Sequence, residues 1–183
     1  MHMSLDGFVA GSKGELNWVK VDEELFSYVG QRISRGDTAM YGRVTYQMME
    51  SYWPTAADQP TATQHDIQHS KWYKHVHKVV LSKTLQGNEA NKTECISDNL
   101  IDRINKIKQQ EGEDILLFGS PTATHSLIQL GLVDGYWLFV NPIILGKGIP
   151  LFADIPDRIN LNLLSSRSFT SGVTELNYIV EAF

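Results

Sequence analysis

The stretch from Ile115 to Asp134, ILLFGSPTATHSLIQLGLVD, constrains this chain more than any other. Ile115 to Phe118 is a short apolar run bounded by Asp114 and Gly119, the pattern of a central strand buried on both faces. Ser120 can cap a helix whose first position, Pro121, needs no backbone donor. The apolar face of that helix runs through Ala123, Leu127, Ile128 and Leu130, and Gly131 stops it. A buried strand that turns through glycine into a helix aims unpaired N–H groups and a positive dipole end at one point, which suits phosphate. Alone, such a turn is equally the connection of any α/β domain, and one glycine stands where dinucleotide fingerprints place two or three.

The same unit recurs along the chain. Thr38 to Tyr41 reads as a second buried strand that turns at Gly42 into a helix carrying Val44, Met48 and Met49, and His77 to Leu81 is a third strand ending in Ser82-Lys83-Thr84. Ligands of open α/β sheets lie outside the carboxyl ends of the strands, so these ends side by side suit a dinucleotide. Met1 to Leu5 reads as a short first strand, followed by an Asp6-Gly7 turn, by Phe8 to Ala10, and by a helix from Asp22-Glu23-Glu24 with Leu25, Phe26, Val29 and Ile33 on one face. Ser51 to Gln64 reads as a polar loop, with Trp72 and Tyr73 leading into the third strand. Thr93 to Ile96 is a weaker strand, and Asp98 is placed to cap a helix with Leu100, Ile101, Ile104 and Ile107 inward. Tyr136 to Val140 is a strand broken by Pro142, and Ile144 to Gly148 is a glycine-bounded loop. Asn160 to Phe169 and Val173 to Phe183 form an antiparallel hairpin, with Thr174, Leu176, Tyr178, Val180 and Ala182 on one face. The expectation is an α/β fold with one mixed, mostly parallel sheet, helices on both faces, and a C-terminal antiparallel hairpin.

At 183 residues and 42% hydrophobic content the chain suffices for one well-buried domain, expected over residues 1–183. A net charge of -5 without any long basic run argues against a nucleic-acid partner. Cys95 is the only cysteine, which excludes an internal disulfide and a cysteine-rich zinc site. Without a targeting peptide or long apolar span, a cytoplasmic protein with no membrane partner is expected. His65 and His69 are spaced like zinc ligands on a helix, but Asp66 stands between them and the flanks read as loop, so surface histidines and no metal are expected. Gly119-Ser120-Pro121 lacks the second glycine of a nucleophile elbow.

Taken together, Met3 to Phe8, Tyr41 to Tyr46, Val79 to Leu85, Phe118-Gly119-Ser120, and Gly131 to Asp134 with Pro142 to Gly148 identify a resemblance. The chain resembles the dihydrofolate reductase-like superfamily, in the branch related to the C-terminal reductase domain of bifunctional riboflavin biosynthesis proteins. The resemblance implies an NADPH-dependent reductase that transfers hydride to a small heterocyclic or imine-like substrate, usually as a homodimer. Its named substrates are a phosphoribosylaminopyrimidine and dihydrofolate. A dihydrofolate reductase-type activity and a non-catalytic nucleotide-binding module of the same fold stand as alternatives.

Carried onto this chain, the resemblance places Gly42, Arg43, Val44 and Thr45 at the adenosine side and pyrophosphate of the cofactor, with Ser82 and Lys83 near the 2′-phosphate. Gly119, Ser120, Pro121, Thr122, Ala123 and Thr124 then cradle the pyrophosphate. An arginine fork and a lysine offer the charge-assisted bonds that an extra phosphate needs. Asp6 falls by the nicotinamide and substrate, with Ser4 beside it, while Trp18 before Asp22 and Glu23 matches the folate branch. A partly buried carboxyl of raised pKa, Asp6 first and Asp22 or Glu23 second, is expected to orient substrate and support protonation. The chain departs from many relatives that carry a second glycine after Gly119, where it has Ser120 and Pro121, and Ser51 to Gln64 offers no counterpart of the Asp-x-Pro-x-Leu element, followed by arginine, of riboflavin reductases.

Overall fold

Short apolar runs that end in glycine do become strands that pass directly into helices, and the strands so connected run parallel. The computed structural model describes residues 1–181, so Ala182 and Phe183, expected as the end of the last strand, lie outside the described residues. Its backbone divides into two compact units, one formed by Met1–Glu24 with the described residues from Pro121 onward and the other by Leu25–Ser120. The chain begins in the first unit with β1 (His2–Ser4) and β2 (Phe8–Ala10), and α1 (Glu23–Ile33) starts there on two acids suited to its dipole.

The second unit holds β3 (Thr38–Gly42), α2 (Arg43–Ala56), α3 (Gln64–His75), β4 (His77–Leu81), β5 (Thr93–Ile96), α4 (Leu100–Lys108) and β6 (Ile115–Leu117). Its strands form an all-parallel sheet in the order β5-β4-β3-β6. The inner pair is the buried one: Ala39, Met40, Tyr41, Val79 and Val80 are each at most 3% exposed. Ile115 to Leu117, expected at the centre, instead ends the strand order and is half-buried. A three-residue apolar run carries no signal that separates an inner strand from an outer one, which is the reason for the correction.

The expected loop from Ser51 to Gln64 is also corrected. α2 runs through Ala56 despite Pro54, which falls in its last turn, and α3 opens with a capping box in which Thr63 and Asp66 satisfy each other's backbone amides. Trp72 and Tyr73 belong to α3, whose inward face is His69, Ser70 and Tyr73 rather than aliphatic residues. His69 is therefore buried, not a surface histidine: its ring lies 4.0 Å from Trp53 and 5.0 Å from Trp72, and His65 stacks on Phe26 at 4.2 Å. α4 is preceded by Asn99 in a left-handed conformation, not capped by Asp98.

The first unit resumes with α5 (Pro121–Gln129), β7 (Gly135–Asn141), β8 (Ile149–Pro150), β9 (Leu161–Ser168) and β10 (Thr174–Val180). Gly131, at φ 66, closes α5 as anticipated: its amide bonds to the Ile128 carbonyl and that of Leu132 to Leu127, the paired bonds of a Schellman cap. One sheet has the order β1-β7-β10-β9 and is mixed, because β7 pairs parallel with β1 and antiparallel with β10. β2 and β8 form a second, two-stranded sheet, so the one continuous sheet expected is replaced by separate hydrogen-bonded sheets. Leu176, Tyr178 and Val180 pack on a core of Val9, Ile128, Tyr136, Leu138 and Leu151, which fixes the face of β10 that the alternation indicated. No helix among the described residues is long and apolar enough to cross a membrane.

Burial, reinforced by the charge of His65, lowers the pKa of His69 to about 3. The native state then refuses a proton that the unfolded chain accepts below about pH 6.5, so stability is full above that value and falls with pH toward the folded pKa. Each such histidine contributes a slope of up to about 1.4 kcal/mol per pH unit in that window. Urea denaturation of wild type and His69→Phe at about pH 7 and about pH 5 is expected to show a flatter pH dependence in the variant, and equal slopes would contradict the assignment.

Candidate functional site

In the second unit, parallel register puts the carboxyl ends of β4, β3 and β6 on one edge, with Gly42 opposite Leu81 and Met40 opposite Leu117. The three sequence segments singled out, Gly42 to Thr45, Ser82-Lys83 and Gly119-Ser120, are therefore neighbours along this edge. Gly42 caps α2 in an extended conformation, with no side-chain cap and no acid in the first turn. The amides of Arg43, Val44 and Thr45 are first-turn donors at the positive end of a fourteen-residue helix.

Two cations flank this helix end. Arg43 is exposed and donates along the helix to Gln47 Oε1 at 3.2 Å, leaving most of its fork open. Lys83 is exposed at the tip of a turn held by Ser82, whose hydroxyl accepts the amides of Thr84 at 3.2 Å and Leu85 at 3.1 Å. Val44 is 69% exposed beside them. Gly119 has φ 51, and a Cβ there would stand 3.4 Å from Thr45 Cγ2, so the turn lies directly against the first turn of α2. Ser120 is buried, with its hydroxyl accepting the Gly42 amide at 2.8 Å and donating to the Phe118 carbonyl at 2.9 Å. An uncapped helix end, two open cations and a glycine turn in a left-handed conformation suit an anionic group.

In the first unit, α5 starts at Pro121, whose missing N–H leaves its first turn to Thr122 and Ala123, while Thr124 is buried. His125, which the sequence did not single out, has Nε2 at 3.1 Å from the Pro150 carbonyl and 3.0 Å from that of Leu151. Both partners are acceptors only, so Nε2 carries the proton and ties α5 to β8.

The acids sit differently from expectation. Asp6 is exposed, and its carboxylate accepts the Ser4 hydroxyl at 2.7 Å and the amides of Leu145 at 3.1 Å and Gly146 at 2.8 Å. The Ser4 hydroxyl, followed by the Leu145 and Gly146 amides, holds the Asp6 carboxyl below the usual range, against a partial opposing effect of burial. The raised pKa expected for a protonating acid is thus overturned at Asp6, because all its donors favour the charged form. Ser4 is fully buried and also accepts the Phe8 amide at 2.9 Å, so it serves Asp6 rather than reaching a substrate directly.

Asp22 is half-buried and Glu23 exposed at the start of α1, and Trp18 is half-buried with Nε1 donating to the Glu15 carbonyl at 3.0 Å. The neighbouring Glu24 accepts Arg167 at 2.9 Å and the amide and hydroxyl of Thr170 at 3.3 and 3.1 Å. Asn141 is the residue that sequence reasoning missed. Fully buried at the end of β7, it accepts the Lys20 amide at 2.8 Å and donates to the Phe139 and Met3 carbonyls, which anchors the segment between Trp18 and Asp22. The only sequence signal was an asparagine before Pro142, where a strand must end.

The fold is shared with solved reductase-like structures. A protein from Shewanella sp. PV-4 superposes with a TM-score of 0.76 at 21% identity, over 100% of this chain and 97% of that one. A pyrimidine reductase-like protein from Corynebacterium diphtheriae gives 0.62 at 16% identity, over 100% and 90%. The Thermotoga maritima diaminohydroxyphosphoribosylaminopyrimidine deaminase/5-amino-6-(5-phosphoribosylamino)uracil reductase gives 0.66 at 13% identity over 98% of this chain, which spans 55% of it. Residues 1–174 match the RibD C-terminal domain, and the chain belongs to that family. Uncharacterized protein YyaP of Bacillus subtilis (strain 168) is 36% identical over 178 residues, 96% of this chain and 90% of that protein.

Asp6→Asn removes a charged acceptor while keeping its shape. The variant is expected to exchange the Leu145 and Gly146 amides faster with solvent than wild type, read by hydrogen exchange; unchanged protection would show that the carboxylate does not hold this loop.

Proposed function

We propose that the chain is an NADPH-dependent reductase that transfers hydride to a small heterocyclic or imine-like substrate, with the phosphoribosylaminopyrimidine chemistry of riboflavin biosynthesis ahead of dihydrofolate. The observation that carries this reading is the pair of open cations, Arg43 and Lys83, beside the uncapped first turn of α2 on the carboxyl edge of a parallel sheet. Arg43 and Lys83 would hold the 2′-phosphate, and the first-turn amides of α2 with the turn at Gly119 would hold the pyrophosphate. NADPH, when bound, supplies the hydride. Asp6 acts by fixing the Leu145-Gly146 turn, and the protonating acid is sought among Asp22 and Glu23.

Calorimetry is expected to show tighter binding of NADPH than of NADH, with Arg43→Ala losing most of the difference. A hydrogen bond to a charged group contributes about 1.5 to 3 kcal/mol, which sets the expected loss at roughly ten- to a hundredfold. Equal affinity of wild type for the two cofactors refutes the 2′-phosphate assignment. NADPH oxidation against a panel of phosphoribosylaminopyrimidines and pterins then selects the substrate, and binding without turnover on any of them favours a nucleotide-binding module.

The same reading makes the protein a cytoplasmic homodimer. β9 is an outer strand with Leu163 and Leu164 exposed and neither lysine nor proline to block a neighbour, so a second copy is the occupant we propose for that edge. Light scattering is expected to return twice the 20.6 kDa monomer mass; a concentration-independent monomer value removes the claim.

A further inference from the structure

We propose, as a step that rests on the NADPH reading, that Ser120 is a positioning residue of the cofactor edge: its hydroxyl occupies the Gly42 amide and locks the ends of β3 and β6 in the spacing at which α2 presents its donors. Ser120 has φ 58, in the left-handed region that a residue with a Cβ enters only at a cost, and it follows Gly119 at φ 51. The side chain that incurs that cost is also 94% hidden from solvent, being 6% exposed, and its hydroxyl has both of its polar roles filled. One is the bond from the Gly42 amide at 2.8 Å, and the other is the bond to the Phe118 carbonyl at 2.9 Å. A glycine at this position would adopt the backbone more easily and make neither bond. Serine therefore exchanges conformational ease for a fixed connection between two strand ends.

That connection has a consequence for phosphate. Gly42 precedes the first turn of α2 in an extended conformation, and its amide, bonded to the Ser120 hydroxyl, is not among the donors that the helix leaves open. With the Ser120 oxygen seated on it, the anion seat is confined to the helix amides proper. The Thr45 side chain stands 3.4 Å from where a Gly119 Cβ would be, so a shift of the turn relative to β3 is felt directly by the first turn of α2. The effect would fall on a pyrophosphate held by the turn and the helix amides, and not on a 2′-phosphate held by Arg43 and Lys83.

The test compares wild type, Ser120→Ala and Ser120→Gly in calorimetric titrations with NADPH and with adenosine 2′-phosphate, alongside melting temperatures. Alanine keeps the Cβ and loses the hydroxyl; glycine loses both and relaxes the backbone. Both variants are expected to bind NADPH about tenfold more weakly, the loss of roughly one hydrogen bond, while adenosine 2′-phosphate changes by less than about twofold. The glycine variant is expected to melt at or above the alanine variant. Wild-type NADPH affinity in Ser120→Gly overturns the inference, since backbone shape alone would then suffice, and so does an equal weakening of both ligands, which marks general loosening. If wild type binds both ligands and Ser120→Ala matches it, this inference alone fails; if wild type binds neither, the NADPH reading fails with it.

Discussion

The parallel register of β3 between β4 and β6 is the constraint on which the candidate site depends. A strand with neighbours on both sides and with Ala39, Met40 and Tyr41 buried cannot slip by one residue without turning its apolar side chains to the wrong face. Once β3 is fixed, Gly42 is fixed opposite Leu81, and the residues that follow each strand must emerge at the same edge. The chemistry is therefore set by topology before any side chain reaches a ligand. Tyr41 and Tyr73 show the energetic side of this: both are buried, with Glu50 accepting the Tyr73 hydroxyl at 2.8 Å, so burial pushes both phenols up and keeps them neutral scaffolding.

The first unit uses its polar groups differently, as ties across irregular backbone. Asp6 holds the turn at Leu145-Gly146, Asn141 holds the Lys20 amide, and Glu24 holds Thr170 and Arg167. Each of these side chains accepts from a backbone amide that belongs to no strand or helix, and a buried amide left unmet is costly. Charge-assisted acceptance explains why two of the three are carboxylates and why both are held below the usual carboxyl range. An acid so committed cannot also be a good proton donor, because every bond that organises the loop favours its ionised form.

The elements legible in the sequence were those whose signal is local. β4 and β5 have the expected bounds, Gly131 closes α5, and the alternation in Leu176, Tyr178 and Val180 faces the core. Even so, α3 was lost because its inward side chains are His69, Ser70 and Tyr73, so no aliphatic period announces it. β8 has two residues and no periodicity at all. At the site, strand ends could be read but partners could not. Nothing in Met3-Ser4-Leu5-Asp6 says that the aspartate meets amides about 140 residues away, a pairing that only the closing of β1 onto β7 creates.

Arg43 and Lys83 stand on a chain whose net charge is -5, so the positive potential at the carboxyl edge owes nothing to the overall balance. It has to be built locally, and the absence of any acid in the first turn of α2 is as much a part of it as the two cations. An acidic side chain there would cap the helix and neutralise its dipole, stabilising the fold by a few tenths to about 1 kcal/mol. Leaving the end uncapped forgoes that stabilisation, and a protein of ordinary marginal stability can do so at a few positions only. Ser120 narrows the cost further: by accepting the Gly42 amide from within the protein, it limits the exposed donors to those of the helix itself. The edge thus leaves the first-turn amides of α2 without a side-chain cap and closes the amide one residue earlier.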